Sequence, residues 1–265
     1  MSLSGAQISD YLYRLRMDVP ERADFESLLQ LQRNHLLHVP FENLDIQRGR
    51  AIALDIPALF KKIVTLGRGG FCYELNGLFA QLLSGLGFRA TLLSAEVATA
   101  NGTFGPPFDH LLLRVDLVSS YIVDVGFGDA FSEPLELVAD VEQSQGQKIF
   151  RLLRREGRWE LHSRLGSLGS SAWKAEYRFT LSARELESFA AMCQYHQTSA
   201  SSHFTQARIC TIETHEGRLT VSGNRFIERV NGIRSEREIR DEAELEWLLK
   251  EHFGICRAGD DVASE

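Results

Sequence analysis

The sequence predicts an α+β protein whose helices and strands are segregated along the chain. Two observations carry this reading. Up to about residue 88 the apolar residues recur at helical spacing. From Phe88 the chain breaks into short β-rich runs separated by turn signals, and beyond Ser182 helical and strand patterns mix. Strands do not alternate with helices as they do where a parallel sheet is built. No internal repeat or low-complexity linker interrupts the order.

Each element has a local cause. Ile8, Tyr11, Leu12 and Leu15 form the inner stripe of a first amphipathic helix. Asp24 caps a helix through Phe25, Leu28, Leu29, Leu36 and Leu37, which must end before Pro40. Asp55 opens a short helix through Pro57, Leu59, Phe60, Ile63 and Val64 that closes near Gly67. A third long helix starts near Phe71 and carries Leu75, Leu78, Phe79, Leu82, Leu83 and Leu86 up to Gly87. The runs ATLLSAEVA, HLLLRVDL and YIVDVGF read as strands, and KIFRLLRREGRWELHSRL as two strands turning at Glu156-Gly157. Ser182 and Glu185 form a capping-box signal for a helix through Leu186, Phe189 and Met192. RICTIETHEGRLTVSG is a hairpin turning at Glu216-Gly217. Asp241 and Glu244 form a second capping-box signal, opening a final helix striped by Leu245, Leu248, Leu249 and Phe253, which Gly254 stops, and GDDVASE reads as a frayed polar tail.

Composition narrows the function. The 265 residues carry a net charge of −7, with 44% hydrophobic and 25% charged residues. A disordered chain would hold fewer apolar residues. A general nucleic-acid binder needs excess positive charge to displace counterions, so no nucleic-acid partner is expected. No apolar run approaches the roughly 20 residues of a membrane span, and MSLSGAQISDYLYRLR lacks the apolar stretch of a signal peptide. We expect a cytoplasmic protein with no membrane partner. Cys72, Cys193, Cys210 and Cys256 form no CxxC pair, so neither zinc nor a redox dithiol is indicated. His35 and His38 lack a third ligand, so packing on a helix face is expected there and no metal.

The chemistry concentrates in RGGFCYELNG, Arg68 to Gly77. Gly69 and Gly70 permit close backbone approach before a cysteine that enters the first turn of a helix. Unpaired N–H groups at a helix start favour a thiolate, but by only about 0.3–1 kcal/mol. A free thiol is only about 3% ionised at pH 7. Cys72 therefore needs a cationic neighbour to be a strong nucleophile; without one it is a buried core residue. Among the eight histidines, His110 opens the strand HLLLRVDL, and Asp124 follows fourteen residues later in YIVDVGFG. If DLVSS turns the chain near 117–119, the even separation lets both side chains share a face. Asp124 between Val123 and Val125 needs a partner if buried, and a histidine N–H supplies one. Cys72, His110 and Asp124 are then nucleophile, base and orienter. The register itself does not follow from the sequence. Each residue taken alone also admits a structural reading: a core cysteine, a capping histidine, a solvent-facing aspartate.

RGGFCYELN, DHLLLRV and YIVDVGFG together resemble the arylamine N-acetyltransferase family. HLLHVPFENLDI upstream and QYHQTSASSHF downstream match it too, in family order, from about residue 35 to 205. The resemblance implies an N-terminal helical bundle, a central β-barrel and a C-terminal α/β lid, with the triad placed as in papain-like cysteine proteases. The corresponding segments are 1–88, 89–181 and 182–265. It implies the triad Cys72, His110 and Asp124 and ping-pong transfer of acetyl from acetyl-CoA to an arylamine or arylhydrazine through acetyl-Cys72. Acetyl-CoA is then a co-substrate, and no tightly bound cofactor is expected. Phe127 matches the residue lining the acceptor pocket, Gly126 allows close approach near the cysteine, and Phe204 lies in the lid segment near the acyl site. Thr198 and Ser202 match positions that approach the pantetheine of CoA. Arg68, Glu42 and Asn43 are read as structural, with Arg68 pairing Glu42 to anchor the loop before Cys72. Cys193, Cys210 and Cys256 are read as structural.

Two departures from the family stand out. Ala200 replaces a proline common in relatives, and Asp129 stands where some carry a basic residue. Alternatives from other classes are a same-family amide synthase closing a macrolactam from a polyketide thioester, a cysteine hydrolase or transglutaminase-like enzyme, and a binding module with an inert cysteine. The charge of −7 opposes an anionic donor such as CoA, so its affinity must come from local donors and apolar contacts.

Overall fold

The structure, a computed structural model, describes residues 2–166 and 172–256; the GDDVASE tail lies outside the described residues. The chain begins with helices α1 (Gly5–Arg14) and α2 (Phe25–His38). Asp24 caps α2 by accepting the Ser27 N–H at 2.9 Å. A two-residue strand β1 (Phe41–Glu42) and the short helices α3 (Leu44–Gln47) and α4 (Ile56–Phe60) follow. Asp55 caps α4, which runs on as a wider helical turn over Lys61–Thr65. Then comes α5 (Cys72–Gly85), whose apolar residues are buried on almost every side. A helix without a solvent face belongs inside a molecule.

The strands begin with β2 (Arg89–Val97), β3 (His110–Asp116), β4 (Ser120–Val123), β5 (Leu135–Glu136) and β6 (Glu142–Gln145). They continue with β7 (Lys148–Arg155), β8 (Arg158–Leu165) and β9 (Lys174–Phe179). All eight form one antiparallel sheet in the order β5-β4-β3-β2-β9-β8-β7-β6. The sheet curls into a nearly closed barrel. Its two edges are bridged by the Gln143 side chain, which accepts the Glu136 N–H at 2.8 Å and donates to the Glu136 carbonyl at 2.9 Å.

Strand β3 explains the run Leu111-Leu112-Leu113. Leu111, Leu113 and Val115 pack against the helices, while Leu112 joins Leu93, Ile122, Phe150 and Tyr177 inside the barrel. A strand covered on both faces reads as continuous apolar sequence.

The remaining chain holds α6 (Ala190–Thr198), α7 (His203–Gln206), β10 (Ile209–Thr214), β11 (Gly217–Ser222), β12 (Arg225–Val230), β13 (Ile233–Glu238) and α8 (Glu242–Phe253). Strands β10–β13 form a second antiparallel sheet, and its first position is taken by β1 from the N-terminal region. Helix α8 packs Leu245, Leu248, Leu249 and Phe253 onto this sheet, and Gly254 ends it in the left-handed conformation at φ 66°.

Three local expectations need correction. Ser182 caps nothing: the chain stays extended, Arg184 donates its N–H to the Leu92 carbonyl at 2.9 Å, and a short 3₁₀ turn over Leu186–Phe189 leads into α6. Docking onto β2 wins over the local capping signal. Asp241 does cap α8, but Glu244 reaches back to the Arg240 N–H instead of completing a box. Cys193 and Cys210 are buried, whereas Cys256 is exposed and packs in no core. No helix among the described residues is long and apolar enough to cross a membrane.

His35 is a packing residue of the bundle. Its ring lies fully buried against Phe79 and takes the Tyr11 hydroxyl on Nε2 at 2.9 Å. Burial pushes its pKa down to about 3, so the fold holds it neutral. In the unfolded chain it protonates near pH 6.5. The stability gained from a neutral His35 is complete above that value and declines as pH falls toward the folded value. The unfolding midpoint should therefore drop between about pH 7 and about pH 5, and less steeply in His35→Gln. Equal slopes in thermal unfolding scans would show that His35 does not carry this dependence.

Candidate active site

Cys72 is the first residue of α5 and is 3% exposed. The loop that delivers it is stitched down from two sides. The Glu42 N–H donates to the Gly70 carbonyl at 2.8 Å, next to the Phe41–Gly70 bridge. A Cβ on Gly69 would lie 2.0 Å from the Pro40 carbonyl oxygen, so only glycine fits there. Glu74 closes the start of α5 by accepting the Phe71 N–H at 3.0 Å.

Behind the loop lies a buried ionic network. Arg68 donates twice to Glu42 Oε1, at 3.1 and 2.7 Å, and once to Asp45 at 3.2 Å. Lys62 sits between Asp45 at 2.8 Å and Glu74 at 2.7 Å. The expected Arg68–Glu42 pair is thus present within a larger set. Lys62 and Arg68 hold the Asp45 carboxyl below its usual value against the opposing effect of burial, while burial pushes Glu74 upward. Asn43 spans α3 and the lid: it donates to the carbonyls of Phe204 and Ala207 and accepts the Ile209 N–H.

His110 and Asp124 come together through the β3–β4 hairpin. The pairing Leu113↔Val123 to Asp116↔Ser120 puts the turn at residues 117–119. His110 Nε2 donates to Asp124 Oδ2 at 2.7 Å, with both side chains nearly inaccessible. The Asp124 carboxylate takes three further donors. Tyr177 OH lies at 3.3 Å from Oδ2, and Asn76 Nδ2 and the Gly126 N–H lie at 2.9 Å from Oδ1. Burial and the Asp124 charge hold the Tyr177 phenol protonated, so it remains a donor. A buried carboxylate is tolerated only when its acceptors are filled in this way.

Asn76 is the residue that the sequence reading passed over. It also donates to the Leu111 carbonyl at 2.7 Å and accepts the Val125 N–H at 3.0 Å. Its spacing from Cys72, four residues along one helix, was the available signal: the two share a helix face. Through Asn76 the cysteine helix grips both strands that carry the histidine and the aspartate.

Cys72 meets these strands directly. The backbone N–H of Leu111, the residue after His110, favours the ionised form of its thiol. A Cβ on Gly126 would lie 2.7 Å from Cys72 Cα, so the Gly126 backbone is pressed onto the cysteine. Burial pushes the thiol pKa up, the Leu111 N–H opposes this, and the charges of Asp124 and Asp109 add to the rise. Asp124 occupies Nε2 of His110, which leaves Nδ1 as the ring nitrogen not engaged by the aspartate.

The remaining named residues divide into two groups. Phe127 stacks edge-on to His110 at 5.0 Å and to Tyr177 at 5.0 Å. Phe204 lies 5.7 Å from Phe71, the residue before Cys72, and 6.1 Å from Phe41. These rings flank the triad. Thr198 and Ser202 use their hydroxyls inside the lid: Thr198 donates to the Gln194 carbonyl at 2.8 Å, and Ser202 accepts the Phe204 N–H at 3.3 Å. Asp129 is exposed and bound by Lys148, Arg218 and Arg229.

Arg68→Gln should destabilise the fold by about 3–5 kcal/mol, because it leaves the buried Glu42 carboxylate without its close cation. Activity should fall with it as the Cys72 loop loosens. A variant with unchanged melting temperature and activity would show that the network does not hold the loop.

Comparison with known proteins agrees with this architecture. A family model described as N-acetyltransferase matches residues 24–261. The chain is 35% identical to a pineal-gland arylamine N-acetyltransferase isozyme of Gallus gallus, with 89% of each chain covered. It is 34% identical to arylamine N-acetyltransferase 1 of Homo sapiens, with 88% of each covered. Its structure superposes on the arylamine N-acetyltransferase from Salmonella typhimurium with a TM-score of 0.88 at 30% identity, over 96% of this chain and 92% of that one. For the Mycobacterium marinum arylamine N-acetyltransferase in complex with CoA, the TM-score is 0.87 at 27% identity, over 97% and 95%. Sequence, family model and fold agree that the chain belongs to the arylamine N-acetyltransferase family of acyltransferases.

Proposed function

We propose that this enzyme transfers an acetyl group from acetyl-CoA to the nitrogen of an arylamine or arylhydrazine through acetyl-Cys72. The single observation carrying the reading is the buried Asp124–His110 hydrogen bond, on strands whose Gly126 backbone is pressed against Cys72. A lone thiolate is disfavoured at a site as buried as Cys72. Its proton is given up to an adjacent acceptor, so the reactive form is a thiolate–imidazolium pair.

In the first half-reaction His110 takes the Cys72 proton and the sulfur attacks the thioester carbonyl carbon. The carbon–sulfur bond to CoA breaks, and the departing CoA sulfur receives the proton from His110. In the second, the amine nitrogen attacks the acetyl-cysteine carbonyl. His110 accepts the N–H proton as the bond to Cys72 sulfur breaks, which returns the thiol and releases the N-acetyl product. Asp124 keeps the ring in place throughout. Phe127 and the Gly126 backbone wall the acceptor side, and Phe204 faces the acyl group. The lid segment from Thr198 to Ser202 borders the pantetheine.

Local charge supports an anionic donor despite the net −7. A cavity of about 420 Å³ runs outward from Phe127 and Phe41 and is lined by Arg218, Arg229 and Arg234. A second cavity, of about 550 Å³, also borders Phe127 and Arg229 and adds Lys148, Arg164 and Lys174. The names of the relatives described above favour transfer to an amine over amide synthesis or hydrolysis.

Incubation with acetyl-CoA alone should give one acetyl adduct by intact mass. The adduct should be absent in Cys72→Ala and discharged by an arylamine or hydrazine. Absence of the adduct in a preparation active on another acyl donor would exclude acetyl-CoA. Separately, Cys72 should be alkylated rapidly at about pH 6–7 in the wild type and far more slowly in His110→Ala. Equal rates would show that His110 does not activate the thiol.

A further inference from the structure

His196 lies in the lid helix α6 and is 3% exposed. Its ring stacks over Tyr73 of α5 at 6.1 Å and meets Phe204 edge-on at 5.2 Å. Nδ1 lies 3.1 Å from Ser202 Oγ. The Ser202 hydroxyl oxygen accepts the Phe204 N–H, so its proton is free to be donated to Nδ1. With Nδ1 accepting, the ring carries a proton on Nε2. That nitrogen is buried and has no hydrogen-bond partner among the described residues, yet it lies 3.2 Å from Asp109 Oδ1, off the bonding direction.

Asp109 immediately precedes His110. Its side chain is 17% exposed, and no lysine or arginine among the described residues pairs with it. A Cβ on Gly105 would lie 2.6 Å from Asp109 Oδ2, so the carboxylate is held in a fixed slot. The charges and titratable groups facing this pair are Tyr73, Cys72 and His203, with Tyr195 and Cys193 on the helix of His196 itself.

We propose that His196 is a positioning residue: its Nε2–H covers the Asp109 carboxylate and so couples the lid to the charge felt by the Cys72 thiol. Tyr73, the neighbour of Cys72, donates its hydroxyl to the Asp109 carbonyl at 3.2 Å, which fixes Asp109 against the start of α5, where its charge opposes ionisation of the thiol. Its charge counts for more where water is excluded. An N–H dipole held 3.2 Å from it by the lid weakens its field at the sulfur. The Ser202–His196–Asp109 chain therefore joins the segment bearing Phe204 to the segment bearing His110. The inference rests on the reading of Cys72 as the nucleophile.

The test is the pH profile of Cys72 alkylation by iodoacetamide in the full chain. It needs no acyl donor, so its outcome is separate from that of the acetyl-adduct experiment. His196→Phe keeps the ring packing and removes the donor; its profile should move to higher pH by about one unit, a roughly tenfold slower reaction near neutrality. Asp109→Asn should move the profile to lower pH, and the double variant should follow Asp109→Asn. An unchanged profile in a folded His196→Phe, or a double variant no faster than His196→Phe, would overturn the proposal. If His196→Phe does not fold, Asp109→Asn decides alone: an unmoved profile there overturns it too.

Discussion

The Asp124 carboxylate is the constraint on which the rest of the structure depends. It is buried, and it lies between the helical bundle and the barrel. Its four donors come from different parts of the chain: Asn76 from α5, His110 from β3, Tyr177 from β9, and Gly126 from its own turn. An ionised carboxylate in such a place is costly unless every donor arrives. The helices and the barrel must therefore dock in one register. The same docking sets the Cys72 backbone against Gly126 and ties Asn76, one turn along the cysteine helix, to the Leu111 carbonyl. Assembly of the site and assembly of the core are one event.

The second anchor is electrostatic and lies on the opposite side of Cys72. Lys62 and Arg68 hold Glu42, Asp45 and Glu74 in a mostly buried network. This arrangement is a poor source of net stability, because desolvation offsets much of the attraction. Its value is geometric. Glu42 belongs to β1, which is also the first strand of the lid sheet, and Glu74 closes the N-terminus of α5. The network therefore ties the cysteine loop to both the bundle and the lid.

Charge is distributed against the overall balance. The chain is acidic, yet the cavities that open from Phe127 are bordered by several arginines and lysines. Asp129 lies among them and joins the loop after Phe127 to Lys148 of the barrel and to Arg218 and Arg229 of the lid sheet. The Asp129 carboxylate is satisfied here because neighbouring strands supply its cations. Local fields of this kind outweigh a distant net charge once water is partly excluded.

Much was legible in the sequence because its causes are local. Asp24, Asp55 and Asp241 cap helices and Glu156-Gly157 turns a hairpin, each depending on a few adjacent residues, whereas the β10–β11 hairpin turns at His215-Glu216, one residue earlier than the Glu216-Gly217 signal, because Gly217 pairs with Thr214 as the first residue of its strand. The even spacing of His110 and Asp124 predicted a shared face, because strand side chains alternate. Ser182 failed for the opposite reason: pairing of Arg184 with Leu92, a distant strand, overrode its capping signal. Asn76, the entry of β1 into the lid sheet, the covering of Asp109 by His196 and the cation cluster around Asp129 all join residues far apart in the chain. Their partners are chosen by how the bundle, barrel and lid pack. By itself the sequence determined most of the elements and put Cys72, His110 and Asp124 forward as candidate reacting groups. Only tertiary structure decided which buried polar atoms find partners, because desolvation is satisfied in space and not along the chain.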